Sequence, residues 1–192
     1  MVVTLRDSDG TELDFQADLD GTTYNLKTAL MGGPTHVYQE ITRPSNTTPY
    51  SAGDTIAANS ASAATQYIVV GRLNGLGGKI TQVDVMTDNR AWTAGIKVVL
   101  YDDEPTAFTA DNAAFPGRAY ADKAGVIGIA SVTALAADAD VAGAMAVGSI
   151  ACDLNFQCAA ASKNIYFQLF TAGTPTPASA QKFTIVLHIT QN

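Results

Sequence analysis

The residues in this chain best able to do chemistry are its clustered carboxylates. Asp102-Asp103-Glu104 stand side by side before Pro105. Two carboxyls hydrolyse a glycoside when they face the substrate from opposite sides at a fixed separation. A run of three acids does not meet that demand, and no partner acid in a distinct environment accompanies it. The run reads as a solvated loop. Asp7, Asp9 and Glu12, and again Asp18 and Asp20, resemble fragments of a calcium loop. Such a loop needs alternating ligands over about twelve residues and a closing Glu, which neither fragment supplies. Turn formation explains these aspartates, with calcium as the alternative.

The remaining reactive side chains are sparse. Gly75-Leu76-Gly77-Gly78-Lys79-Ile80 suggests a phosphate loop. Leu73 occupies the place of its first glycine, however, and Ile80 the place of the magnesium-binding hydroxyl. An alternating strand pattern follows, whereas an anion site of this kind must open a helix. His36 and His188 lack a Cys, His or acid partner at ligand spacing and are read as structural. Cys152 and Cys158, with five residues between them, fit neither a zinc knuckle nor a redox pair and read as small hydrophobes. No Gly-x-Ser-x-Gly elbow occurs. The sequence therefore nominates no catalytic, cofactor-binding or metal-binding residue, and the expectation is a protein that is not an enzyme.

Composition narrows the class further. A chain of 192 residues, 47% hydrophobic and 15% charged, can bury a sizeable core and is not disordered. Eleven Lys and Arg against eighteen Asp and Glu, scattered along the chain, give −7 and no basic face for nucleic acid. Met1 to Asp7 shows no secretory leader. Ala124 to Ala137 is uncharged but shorter than the ~20 residues a spanning helix needs, and Gly125, Gly128, Ser131 and Thr133 interrupt it. It reads as a buried strand with its neighbours. The expectation is a protein made in the cytoplasm, with no membrane and no nucleic-acid partner.

The elements that must position these groups read as β throughout. Six of the eighteen acids fall in the first twenty residues, and Asp7-Ser8-Asp9-Gly10-Thr11 echoes in Asp18-Leu19-Asp20-Gly21-Thr22. Asp-Gly between short apolar runs signals tight hairpin turns, with Leu5, Leu13, Phe15, Tyr24 and Leu26 on the flanking strands. Residues 1–35 are read as an acidic β-hairpin arm, ended by Gly32-Gly33-Pro34, and residues 36–192 as a separate domain. Strands are expected at 37–42, 67–70, 80–86, 96–101, 165–170 and 183–190. In the last, Phe183, Ile185, Leu187 and Ile189 face one way and Thr184, Val186, His188 and Thr190 the other. Alternation with one wet face marks antiparallel strands. Ala134 to Val147 has the alanine for a turn or two of helix, weakened by Gly143. Short strands between long Gly/Pro loops, 101–124 and 171–181 among them, predict an antiparallel β-sandwich of jelly-roll-like form.

The most specific string runs from Glu40 to Ile56 and contains Thr42-Arg43-Pro44, Thr47, Tyr50 and Gly53-Asp54. It resembles an opening element of virion proteins of tailed bacteriophages. Tyr101-Asp102-Asp103-Glu104-Pro105-Thr106 and Asp111-Asn112-Ala113-Ala114-Phe115 resemble a second element of the same proteins, and the acidic Asp-Gly-Thr start resembles their leaders. The resemblance covers about residues 37–190 and implies a β-sandwich on the phage particle, a head decoration (cement) protein. It implies the major capsid protein or other virion proteins as partners, the outer surface of the head as location, and a homo-oligomer, by analogy a trimer. It brings no catalytic residues.

Elementary physical chemistry suits that role. Clamping a capsid needs a rigid body and large interfaces of low charge rather than a pocket. Prolines 44, 49, 105, 116, 175 and 177 stiffen the loops. The alternative is a tail, neck or fibre module that recognises carbohydrate or protein. Its aromatic platforms would have to come from Trp92, Tyr50 and Tyr120.

Overall fold

The computed structural model describes residues 2–6, 12–20, 23–26, 35–59, 65–70, 74–137 and 145–191. The chain divides into two compact units, Met1–Gly32 and Gly33–Asn192. The first contains three antiparallel strands, β1 (Val2–Arg6), β2 (Glu12–Asp20) and β3 (Thr23–Leu26), in that spatial order. Leu5 pairs with Leu13, and Leu19 with Tyr24. The expected Asp-Gly turns at 7–11 and 21–22 lie outside the described residues, as do Asp7 and Asp9 of the calcium fragment.

Among its described residues the second unit has ten strands in two sheets. They are β4 (Thr35–Thr42), β5 (Thr55–Ile56), β6 (Tyr67–Val69), β7 (Gly77–Thr87), β8 (Ala94–Tyr101), β9 (Val126–Ala134), β10 (Ala136–Ala137), β11 (Ala146–Gln157), β12 (Asn164–Thr171) and β13 (Lys182–Gln191). One sheet has the order β10-β11-β7-β13-β4. The other has the order β5-β12-β8-β9, with β6 also paired to β12. Every pairing is antiparallel. Taking β5 with β6 as one position beside β12, and β10 as the end of β9 carried over to the edge beyond β11, leaves eight strands that fill the sheets in the order of a jelly roll. Among the described residues there is no α-helix, only a 3-10 turn at Tyr120–Asp122, and no helix long and apolar enough to cross a membrane.

The alternation read from the sequence explains the core. Ile80, Val83, Val85, Phe183, Ile185, Leu187 and Ile189 point inward from one sheet, and Ile96, Val98, Leu100, Ile165, Phe167 and Leu169 from the other. Trp92 plugs one end, edge-on to Phe183 with ring centroids 5.0 Å apart. At one side the sheets are covalently continuous. β9 leaves the second sheet at Ala134, passes through buried Leu135, and re-enters the first sheet as β10. Gly148 of β11 permits that closure, since a Cβ there would stand 2.4 Å from Val132 Cγ1 and 2.8 Å from the Ala134 carbonyl oxygen.

Four expectations need correction. The twelve-residue β11 is the longest strand, although its segment was not expected to form one. Residues 134–137 are extended rather than helical, and 138–144 lie outside the described residues. The 124–137 run is only partly buried, with Ala130, Val132 and Leu135 inward and Ile129 exposed. The second sheet also lacks a wet outer face at its centre, where Val99, Tyr101 and Gln168 are buried. The 102–125 loop lies over them. Gln168 accepts from the Thr109 amide at 3.3 Å and donates to the Ala107 carbonyl at 3.3 Å, and Phe115 stacks on Phe170 at 4.7 Å.

Leu187 is fully buried at the centre of the core on β13, which is paired on both sides. Leu187→Ala is expected to cost about 2–5 kcal/mol, through lost transfer energy and the cavity left behind. Chemical denaturation of the variant against the parent measures it, and an unchanged midpoint would contradict this placement.

Candidate functional site

The densest polar constellation in the sandwich is buried rather than open. Strand β4 ends at Thr42, and Pro44 cannot continue it, so Arg43 sits where the chain turns into the loop that leads to β5. Its guanidinium has no solvent contact. All five of its N–H donors are used. Nε donates to the Tyr50 hydroxyl at 2.8 Å, and Nη1 to the carbonyls of Asn46 at 2.7 Å and Ala178 at 3.1 Å. Nη2 donates to the Asn46 side-chain oxygen at 3.1 Å and to Asp111 Oδ2 at 3.0 Å.

Asp111 completes the pair from the 102–125 loop. Its Oδ1 accepts from the Tyr50 hydroxyl at 2.6 Å and from the Ala57 amide at 3.1 Å. Asn112 follows in the left-handed region, with φ 58°, which asparagine tolerates better than most residues. Its amide donates to Thr55 O, and the Thr55 amide donates to Ala113 O, both at 2.8 Å. Burial, reinforced by the Asp111 carboxylate, pushes the Tyr50 hydroxyl well above its ordinary range, so it stays protonated. With every Arg43 donor satisfied, this cluster ties three loops together.

The carboxylates and glycines singled out by their spacing are dispersed. Asp102, Asp103 and Glu104 form a bend in which the Asp102 amide donates to Gly125 O at 2.8 Å and Glu104 accepts from the Thr65 hydroxyl at 3.2 Å. Burial, and secondarily the neighbouring charge of Asp103, raises the Asp102 carboxyl. Gly77 and Gly78 begin β7, so the glycine run leads into a strand and offers no helix terminus to an anion. Cys152 is half-buried and Cys158 buried, both as free thiols raised by burial. Among the described residues no group of three or more His, Cys, Asp or Glu is placed to hold a metal ion.

One expectation about side chains is overturned in part. Tyr50 and Trp92 are 2% and 1% exposed, so neither can serve as a platform, while Tyr120 is 82% exposed with Lys123 Nζ 4.3 Å from its ring centroid. The histidines do have partners. His188 Nε2 lies 2.6 Å from Asp84 Oδ2, and the rings of His36 and His188, directly opposite across the β4–β13 ladder, meet edge-on at 4.3 Å. Sequence spacing cannot show these contacts, because Asp84 and His188 stand 104 positions apart and meet only through the β7–β13 ladder. Asp111 was equally hidden as the partner of Arg43, 68 positions away.

No protein-family model matches the chain, and none of the curated proteins matches it.

Two measurements check this description. Asp111→Ala strands the Arg43 charge in the core and frees the Tyr50 hydroxyl. A loss of about 3–5 kcal/mol is expected by denaturation, as for other broken buried pairs. At Asp84, burial alone would raise the carboxyl. Hydrogen bonds from Gln82, Ser149 and His188 and the charge of His188 outweigh that and hold it below the usual carboxylate range. A depressed carboxyl adds stability that is complete above its unfolded value of about 3.9 and is lost as pH falls further. The stability difference between the parent and Asp84→Asn is therefore expected to shrink below about pH 4. A difference that instead grows on acidification would reverse the assigned sign.

Proposed function

We propose that this chain is a structural protein of a tailed-bacteriophage particle, a decoration protein on the outer surface of the head that stabilises it by bridging capsid subunits. The observation that carries this reading is where the phage-like strings fall. Arg43 and Tyr50, from the Glu40–Ile56 string, and Asp111, from the second string, meet in one buried cluster. The resemblance therefore rests on residues that determine the fold, distant in sequence and joined in space, rather than on loop composition. Jelly-roll sandwiches are a recurrent architecture of viral capsid domains, although fold alone assigns no function.

The physical character of the unit supports the same reading. The loops that would form a recognition face are tied down by Arg43, Asp111 and Gln168. A rigid body of this kind loses little entropy on docking to a capsid lattice. A glycan-reading module is the weaker alternative, since two of its three aromatic platforms are core residues. In this reading the protein acts without a cofactor, and its partners are the major capsid protein and other copies of itself.

The test is co-sedimentation with assembled particles. A fixed, high copy number on purified heads, with heads lacking the protein breaking at lower temperature, is the expected result. Its absence from purified particles would refute the proposal.

A further inference from the structure

The ends of the two sheets differ in how they are finished. β10 and β5 have two residues each and β6 has three, while β9 runs on through Leu135 into the opposite sheet. Very short or covered edges are the ordinary means of preventing further strand pairing. β4 has none of these protections. It is eight residues long, pairs with β13 in unbroken register on one side, and no described strand pairs with its other side. It contains no lysine, proline or bulge, and its one charge, Glu40, is held by Lys182 at 2.9 Å. An open groove of about 340 Å³ runs beside Gln39, Glu40 and Thr42, with Ala58 and Tyr67 on its other side.

We propose that two copies of the chain join along this edge, β4 against β4, antiparallel about a two-fold axis at Tyr38. The argument is self-complementarity. His36, Tyr38 and Glu40 share the outward, exposed face of the strand. With the axis at Tyr38, each His36 stands opposite the Glu40 of the other copy, and the two Tyr38 rings meet at the centre. Directly opposed side chains in an antiparallel pair have Cβ atoms about 5 Å apart, close enough for an imidazole N–H to reach a carboxylate. Moving the axis one residue either way opposes His36 to Tyr38 or Tyr38 to Glu40 and loses both imidazole–carboxylate contacts. Tyr38, 71% exposed in the single copy, is covered by its equivalent. Isologous two-fold contacts are the commonest in homo-oligomers, and here the two-fold replaces the threefold expected by analogy. This inference goes beyond the particle reading and does not depend on it.

Light scattering on the full-length protein after size exclusion tests it. The expected mass is twice 20.0 kDa. Tyr38→Lys sets two like charges against each other on the axis and is expected to halve that mass while the chain stays folded, with an unchanged circular dichroism spectrum. His36→Glu opposes two carboxylates and is expected to do the same. Adding Glu40→Lys to His36→Glu restores an opposite-charge pair and with it the doubled mass. A parent mass of 20.0 kDa, a mass three times that value, or a dimer indifferent to Tyr38→Lys would each overturn the proposal.

Discussion

The sandwich depends on a guanidinium that has been taken out of water. Burying a charge is tolerable only when its partner and all its donors are supplied by the fold. Arg43 draws them from four residues on three loops: Tyr50 and Asn46 on its own loop, Asp111 on the 102–125 loop, and Ala178 on the loop before β13. Long loops normally wander, because few contacts specify them. Here one planar cation fixes three of them. The consequence reaches the second sheet, since the loop anchored by Asp111 is also the one that covers Val99, Tyr101 and Gln168. A side chain near one strand end thus decides whether the opposite sheet has two faces buried or one.

Much of the architecture was legible in the sequence because the signal was local. Phe183, Ile185, Leu187 and Ile189 alternate without interruption, and period-2 alternation fixes both the strand and its inward face. β11 was not legible for the same reason inverted. Its inward positions carry Ala146, Gly148, Ile150, Cys152, Leu154 and Phe156, three of them small, and its register slips between Ala151 and Leu154. The small side chains serve the close approach to β9, so the packing requirement that selected them also weakened the pattern. In β8, Val99 and Tyr101 alternate with the inward Val98 and Leu100 as water-facing residues would, and a strand cannot announce that a distant loop will cover it. Trp92 and Tyr50 failed as surface platforms for a related reason, since aromatic residues in loops plug the ends of a sandwich as readily as they decorate it.

The two outer faces of the sandwich have different characters. The loop-covered face is apolar beneath and tied down by hydrogen bonds from Gln168. The opposite face carries His36, Asp84 and His188 in contact across three strands. Asp111 and Asp84 also illustrate two uses of a carboxylate. The first is wholly enclosed and holds the fold together, whereas the second sits at the boundary with solvent and responds to its acidity.

The pairing of β4 with β13 has a mechanical consequence. Thr35 at the start of β4 lies opposite Ile189 near the end of β13, so polypeptide entering and leaving this unit does so at the same corner of the same sheet. A force applied between those two points pulls across the ladder rather than along it, opening its hydrogen bonds one after another instead of loading them together. The unit is therefore weak to peeling at that corner. It is stiff to loads carried through its other strands, where both sheets and the Leu135 crossover share the strain.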